Sequence, residues 1–177
     1  MANYTRIFEE NHSCFLTIVT HNRNPILIHN INLLRKSFAL SKLKYDYEIE
    51  AVVILPDHFH MIITPKIAKE YPKIISHIKR SFLYGLDKDF KNHAKKSLSS
   101  SQIKRGHSGI WQSRYYEHTI RDEKDFNIRF DYIHFNPVKH GLVLETNDWK
   151  YSSFGKFVKM GLYDDSWGDF NHDVEFE

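Results

Sequence analysis

The order of elements along the chain predicts an α+β fold. It is a ferredoxin-like split β-α-β sandwich, an antiparallel sheet with helices packed on one face plus one additional helix. Two observations lead there. Short β-branched and aromatic runs read as strands, and between them apolar residues recur at helical spacing. Their succession is strand, helix, strand, strand, helix, strand, helix. With 177 residues, of which 41% are hydrophobic and 15% aromatic, the chain has the length of one domain, 1–177, and enough apolar side chains to fill its core.

Taken in order, SCFLTIVTH (Ser13 to His21) is the first strand, and Asn24-Pro25 marks a turn. From Ile28 to Lys44, the apolar residues Ile31, Leu34, Phe38 and Leu43 repeat roughly as one helix face. YEIEAVVILP (Tyr47 to Pro56) is a largely buried second strand. Pro56-Asp57 turns it into a third, HFHMIIT (His58 to Thr64), which Pro65 ends. A second helix covers Glu70 to Tyr84, with Ile74, Ile75, Ile78 and Phe82 inward, Lys73, Lys79 and Arg80 outward, and Gly85 as its stop. Residues 87–109 are polar, contain SLSSSQ and show no clear period, so they read as a mobile basic loop with room for a short helix. IWQSRYYEHTI (Ile110 to Ile120) is the fourth strand. Asp122 is placed as an N-cap with Asp125 three residues on, and that helix is expected to end near Asn136, because Pro137 disfavours helical geometry in the residue before it. After a turn at His140-Gly141, residues 142–177 form a C-terminal extension packed on the body.

Composition removes several classes of function. No apolar run approaches the length of a membrane span, and the N-terminus lacks the apolar core of a secretory signal, so a cytoplasmic location without membrane contact is expected. Cys14 is the single cysteine, which excludes internal disulfides and thiolate zinc sites. Any metal must be held by His, Asp, Glu, Asn or Gln. The net charge of +3 permits nucleic-acid binding without establishing it. Its distribution is uneven: cations crowd the stretch from Lys66 to Arg105, while the tail beyond Tyr163 is acidic through Asp164, Asp165, Asp169, Asp173, Glu175 and Glu177.

Within LPDHFHMIITP (Leu55 to Pro65), strand alternation points His58 and His60 the same way and Phe59, Met61 and Ile63 the other. Two adjacent imidazoles suit a shared metal ion. For so short a motif, a hydrogen-bonded pair at a strand edge is an equal alternative. Two nitrogens are also an incomplete catalytic site. The helix after Asp122 can complete it. Phe126, Phe130 and Ile133 make its core stripe, while Tyr132 and Asn136 project together one turn apart, with Asp125 and Arg129 on the same side. A flanking core tyrosine and a helix-end asparagine are the ordinary readings of those two residues.

DYIHFNPVKHG (Asp131 to Gly141), following LPDHFHMI, resembles the signature pair of the single-tyrosine HUH transposases, and among them the REP-associated tyrosine transposases. The likeness extends through WQSRYYEHTIRDEKDF (Trp111 to Phe126) and DWKYSSFGKF to GLY (Asp148 to Tyr163). The basic stretch near Lys91 to Arg105 is the expected departure. The resemblance implies that His58-Phe59-His60 is the HUH motif, Tyr132 the nucleophile on the additional helix, and Asn136 the third metal ligand. It also implies hairpin DNA with a short flanking single strand as substrate, hence nucleoid association; the oligomeric state, monomer or homodimer, stays open. A mixed nitrogen and oxygen site accepts Mg2+ or Mn2+. Single strands are gripped by stacking aromatics and basic grooves, which makes Arg114, Tyr115, Tyr116, Lys139 and His140 candidates, together with Lys95, Lys96, Lys104 and Arg105. Two rivals stand beside this reading. One is a non-catalytic hairpin-binding regulator with a vestigial site; the other is a metal-dependent hydrolase of small phosphoesters, which would need a water-activating base.

Overall fold

The structure, a computed structural model, describes residues 12–168. Four strands, β1 (Cys14–Val19), β2 (Tyr47–Ile54), β3 (His58–Pro65) and β4 (Tyr116–Thr119), form one sheet in the order β2-β3-β1-β4. Every pairing is antiparallel. This is the predicted sandwich: the β1-helix-β2 and β3-helix-β4 halves interleave so that β1 and β3 are central.

Alternation along the central strands builds two different cores. Leu16 and Ile18 of β1, with Phe59, Met61 and Ile63 of β3, face α1 (Ile31–Lys42) and α2 (Tyr71–Gly85). The predicted inward stripe of α2, Ile74, Ile75, Ile78 and Phe82, is buried there. On the opposite face, Phe15, Ala51, Val53 and Ile62 meet Ile133, Phe126 and Phe130 of α5 (Glu123–Lys139). The additional helix thus lies across the sheet from the other two.

Four local expectations are corrected. Residues 87–109 are not a loop: they hold α3 (Lys88–Lys96) and α4 (Ser100–Lys104). Asp87 caps α3 by accepting the Asp89 and Phe90 N–H groups, and Ser99 with Gln102 forms a capping box on α4. Ala94 and Leu98 are buried, and Gly109, with φ +74°, lies where a Cβ would meet the Ala94 carbonyl oxygen at 2.4 Å, so that only glycine fits against α3. Second, of Ile110 to Ile120 only Tyr116–Thr119 is strand, while Trp111 makes an isolated bridge to Thr20. Third, α5 continues through Pro137 to Lys139, its last turns buried by Phe135, Pro137 and Val138. Packing there outweighs the proline's local preference. Fourth, Lys79 does not point outward: it is half-buried, its Nζ donates to the Gln112 carbonyl, and burial pushes its pKa down to about 8.

After α5 the chain returns along the β2 edge as a strap. Ile54 N–H donates to Tyr151 O, Ser153 N–H to Val52 O, and Trp149 Nε1 to Ile54 O, before the short helix α6 (Phe154–Lys159). The acidic residues from Asp169 onward lie outside the described residues. Among the described residues, no helix is long and apolar enough to cross a membrane.

Candidate active site

β3 is central and α5 crosses its second face, so the predicted residues converge. His58 and His60 project side by side with ring centroids 4.9 Å apart, each 4% exposed. The ring of Tyr132 stands edge-on to His60 at 5.2 Å. Asn136, one turn further along α5, is fully buried, and neither its Oδ1 nor its Nδ2 has a hydrogen-bond partner within the protein. A buried amide with both polar atoms unmet costs on the order of 1–3 kcal/mol, a cost that a bound ligand would remove.

Each histidine is oriented from behind. His58 Nδ1 donates to Asp57 Oδ1 at 2.6 Å, and Asp57 is held in turn by Arg23 Nη1 at 3.1 Å. His60 Nδ1 is 2.8 Å from Thr17 Oγ1, its cross-strand partner on β1. Both contacts occupy Nδ1 and leave Nε2 turned away from them; His60 Nε2 is buried with no partner. Burial, then the neighbouring His58 and His140, hold the His60 imidazole well below its ordinary pKa, in the neutral form that coordinates metals. Burial works against ionisation of Asp57, but the His58 hydrogen bond and charge and then Arg23 outweigh it, so its carboxyl lies below the usual range.

The remaining candidates separate. His140 is exposed at the rim, its ring 5.3 Å from His58, and Lys139 Nζ lies 4.8 Å over the Tyr132 ring. Tyr116, 53% exposed, is on the histidine face beside Phe15. Tyr115 is not brought to this face: it packs half-buried against the α1/α2 core. Lys95 and Lys96 are exposed on α3, Lys104 and Arg105 at the end of α4, and Arg114 on the segment before β4. Asp57, Thr17 and Phe15 are residues at the site that sequence reasoning did not single out for this role, whereas Arg129, expected on the Tyr132 side of the helix, lies there with its guanidinium 5.5 Å over the Phe15 ring. Asp57 precedes His58 directly and was legible as its neighbour, whereas Thr17 and Phe15 become visible only once β1 is known to pair with β3.

Over residues 9–136 the chain matches the family described as Transposase IS200 like. A Haemophilus influenzae relative, named provisionally as a REP-associated tyrosine transposase, is 39% identical over 170 residues, 95% of this chain and 94% of its own. The Escherichia coli K12 REP-associated tyrosine transposase is 32% identical over 169 residues, 94% of this chain and 91% of its own. A solved REP-associated tyrosine transposase bound to a REP hairpin superposes with a TM-score of 0.77 at 31% identity, covering 98% of this chain and 96% of that one. The chain belongs to the REP-associated tyrosine transposases of the IS200-like family, and its role is that of a transposase.

Proposed function

We propose that the protein cleaves and rejoins single-stranded DNA beside hairpins, through a covalent phosphotyrosine on Tyr132. The observation that carries this reading is the pairing of His58 and His60 against α5, with Tyr132 beside His60 and His140 beside His58, which brackets the unpartnered, fully buried Asn136 amide one turn from each. The buried, unpartnered Asn136 amide on α5 supports its role as the third side-chain ligand. The donor set fits a divalent cation: Nε2 of His58, Nε2 of His60 and Oδ1 of Asn136, with Asp57 and Thr17 orienting the two imidazoles. Bound Mg2+ or Mn2+ would neutralise a non-bridging phosphate oxygen and lower the barrier to attack by an oxygen nucleophile.

The protein's own residues do the rest. Tyr132 Oη forms the new bond to phosphorus and the bond to the 3′ oxygen breaks. The phenol proton passes to solvent, and the leaving oxygen takes one up as a 3′ hydroxyl. The phosphoester is conserved in the tyrosine adduct, so the 3′ hydroxyl of a second strand can reverse the step, which is strand transfer rather than hydrolysis. A cavity of about 230 Å³ lined by Phe15, Thr17, Tyr116, Arg129, Tyr132 and Lys139 opens beside the phenol. Its rings and cations suit one unpaired base and its phosphate. The hairpin preference rests on the relative solved with a REP hairpin.

The test is incubation with hairpin oligonucleotides from flanking genomic DNA and Mn2+, followed by denaturing electrophoresis. A covalent complex is expected with the native chain and with Tyr116→Phe, and none with Tyr132→Phe, which should still bind the hairpin. Binding without any adduct would instead favour the non-catalytic regulator. The basic helices contribute phosphate contacts: neutralising Lys91, Lys95, Lys96, Lys104 and Arg105 together should flatten the salt dependence of hairpin binding. An unchanged slope would assign these cations to solubility.

A further inference from the structure

Tyr132 and Asn136 lie on one side of α5. The side turned away from the metal histidines carries polar groups with no part in the chemistry above. His134 is wholly buried, two residues from each of them and so about 200° around the helix. Both its nitrogens are bonded, Nε2 to Ser153 Oγ at 2.8 Å and Nδ1 to Tyr163 Oη at 3.2 Å. Tyr163 Oη donates to Asp131 Oδ1 at 2.5 Å, and Ser153 Oγ accepts the Val52 N–H at 2.9 Å.

Proton counting sets the direction at the carboxylate end. The single Tyr163 proton goes to Asp131, so Tyr163 must accept from His134 Nδ1–H. The Ser153 hydroxyl proton lies between two acceptors, the Val52 carbonyl at 3.2 Å and His134 Nε2 at 2.8 Å, and the shorter contact is the one that meets the unprotonated nitrogen of a neutral His134. One chain of donors therefore runs from the β2 backbone through Ser153, His134 and Tyr163 to the Asp131 carboxylate. It begins on the strand next to β3 and ends on the residue before Tyr132.

α5 needs such an anchor at this turn. Pro137 has no N–H, so the Ile133 carbonyl, between Tyr132 and His134, lacks its helical hydrogen bond. The helix is least self-supporting where it must present two side chains together.

We propose that Ser153, His134 and Tyr163 are positioning residues for the tyrosine nucleophile: their chain sets the rotation of α5 about its axis and so aims Tyr132 and Asn136 at His58 and His60. The inference rests on the reading of Tyr132 and Asn136 given above. It also gives the C-terminal strap a part in catalysis.

The variants Tyr163→Phe and Ser153→Ala each remove one link and keep most of the packing. Three quantities are measured for each: the single-turnover rate of adduct formation across a Mn2+ titration, Mn2+ binding by electron paramagnetic resonance, and hairpin affinity, with thermal melting to fix the folded fraction. The expected result is a rate about ten- to a hundred-fold lower per folded molecule. Mn2+ binding should weaken several-fold, hairpin affinity should be unchanged, and Ser153→Thr should restore most of the rate. Rates and Mn2+ binding equal to the native chain, once corrected for folded fraction, would overturn the positioning role while leaving the Tyr132 assignment intact. A native chain that forms no adduct would instead overturn the Tyr132 assignment. The positioning role would fall with it unless the two variants still weakened Mn2+ binding.

Discussion

The two faces of the sheet are packed to different ends. Against α1 and α2 the strands present Leu16, Ile18, Phe59, Met61 and Ile63, side chains with nothing to offer a ligand. Against α5 the apolar set is smaller, and within it sit His58, His60 and Asn136, buried polar groups of which two keep atoms without partners. The first face gains stability from burying apolar surface. The second gives some of it up to bury polar groups, which the proposed cation would engage. Because alternate residues of β3 serve the two faces, one strand links them, and substitutions on either side should separate stability from chemistry.

The largest expected effect on stability is on the α1/α2 face. Phe82 is wholly buried, its ring 5.2 Å from that of Trp111. Phe82→Ala should lower unfolding free energy by about 3–5 kcal/mol, read from urea denaturation. Adduct formation per folded molecule should hold, because the histidines point the other way. Tyr132→Phe is the mirror case: the adduct should be lost while stability should change by only about 0.5 kcal/mol or less. If Phe82→Ala also abolished the adduct in the folded fraction, the faces would not be independent.

Legibility from sequence followed the same divide. Strand and helix periods are local, so the shared direction of His58 and His60, and of Tyr132 and Asn136, could be read before any partner was known. The α1/α2 stripe was legible for the same reason, except at Leu43, which lies just past the end of α1 and is 85% exposed. What was missed depended on packing between distant segments. Helices α3 and α4 bury little beyond Ala94 and Leu98, which left their caps at Asp87 and Ser99 as the only local signals, in a stretch that otherwise read as polar loop. The run of α5 past Pro137 is set by what covers Phe135 and Val138, not by the proline. The donor chain through His134 joins residues 19 and 29 positions apart in sequence, where periodicity carries no information.

A smaller effect is expected at the entrance to α5. Asp125 is 6% exposed and accepts from His118 Nε2 at 2.7 Å and from Arg121 N and Nε at 3.1 and 3.3 Å, with Arg129 Nε at 3.6 Å. Burial opposes its ionisation, but the His118 hydrogen bond and the Arg121 backbone N–H outweigh it, leaving the carboxyl below its ordinary pKa of 3.8. A carboxylate depressed in the folded state contributes stability that is fully present above the unfolded value and is lost as pH falls through the folded one. Asp125→Asn should therefore cost about 1–3 kcal/mol at neutral pH. That gap from the native chain should close only below about pH 4. A gap that stayed constant down to pH 2 would mean that packing, not charge, accounts for it.

One effect should have the opposite sign. Asn136 is fully buried with both amide atoms unmet, so the metal-free fold bears its desolvation without return. Leucine has nearly the same shape and no polar atoms. Asn136→Leu should raise the unfolding free energy of the metal-free protein by about 1 kcal/mol, because replacing an unsatisfied polar group by an apolar one removes that cost. Adding Mn2+ should reverse the ranking. A cation that binds only the folded native chain raises its melting temperature by mass action, whereas the variant, left with two imidazoles, should gain much less. Melting curves with and without Mn2+ decide the matter. A metal-free Asn136→Leu that melts below the native chain would show that the amide is already satisfied, and the contrast between the two faces would lose its clearest member.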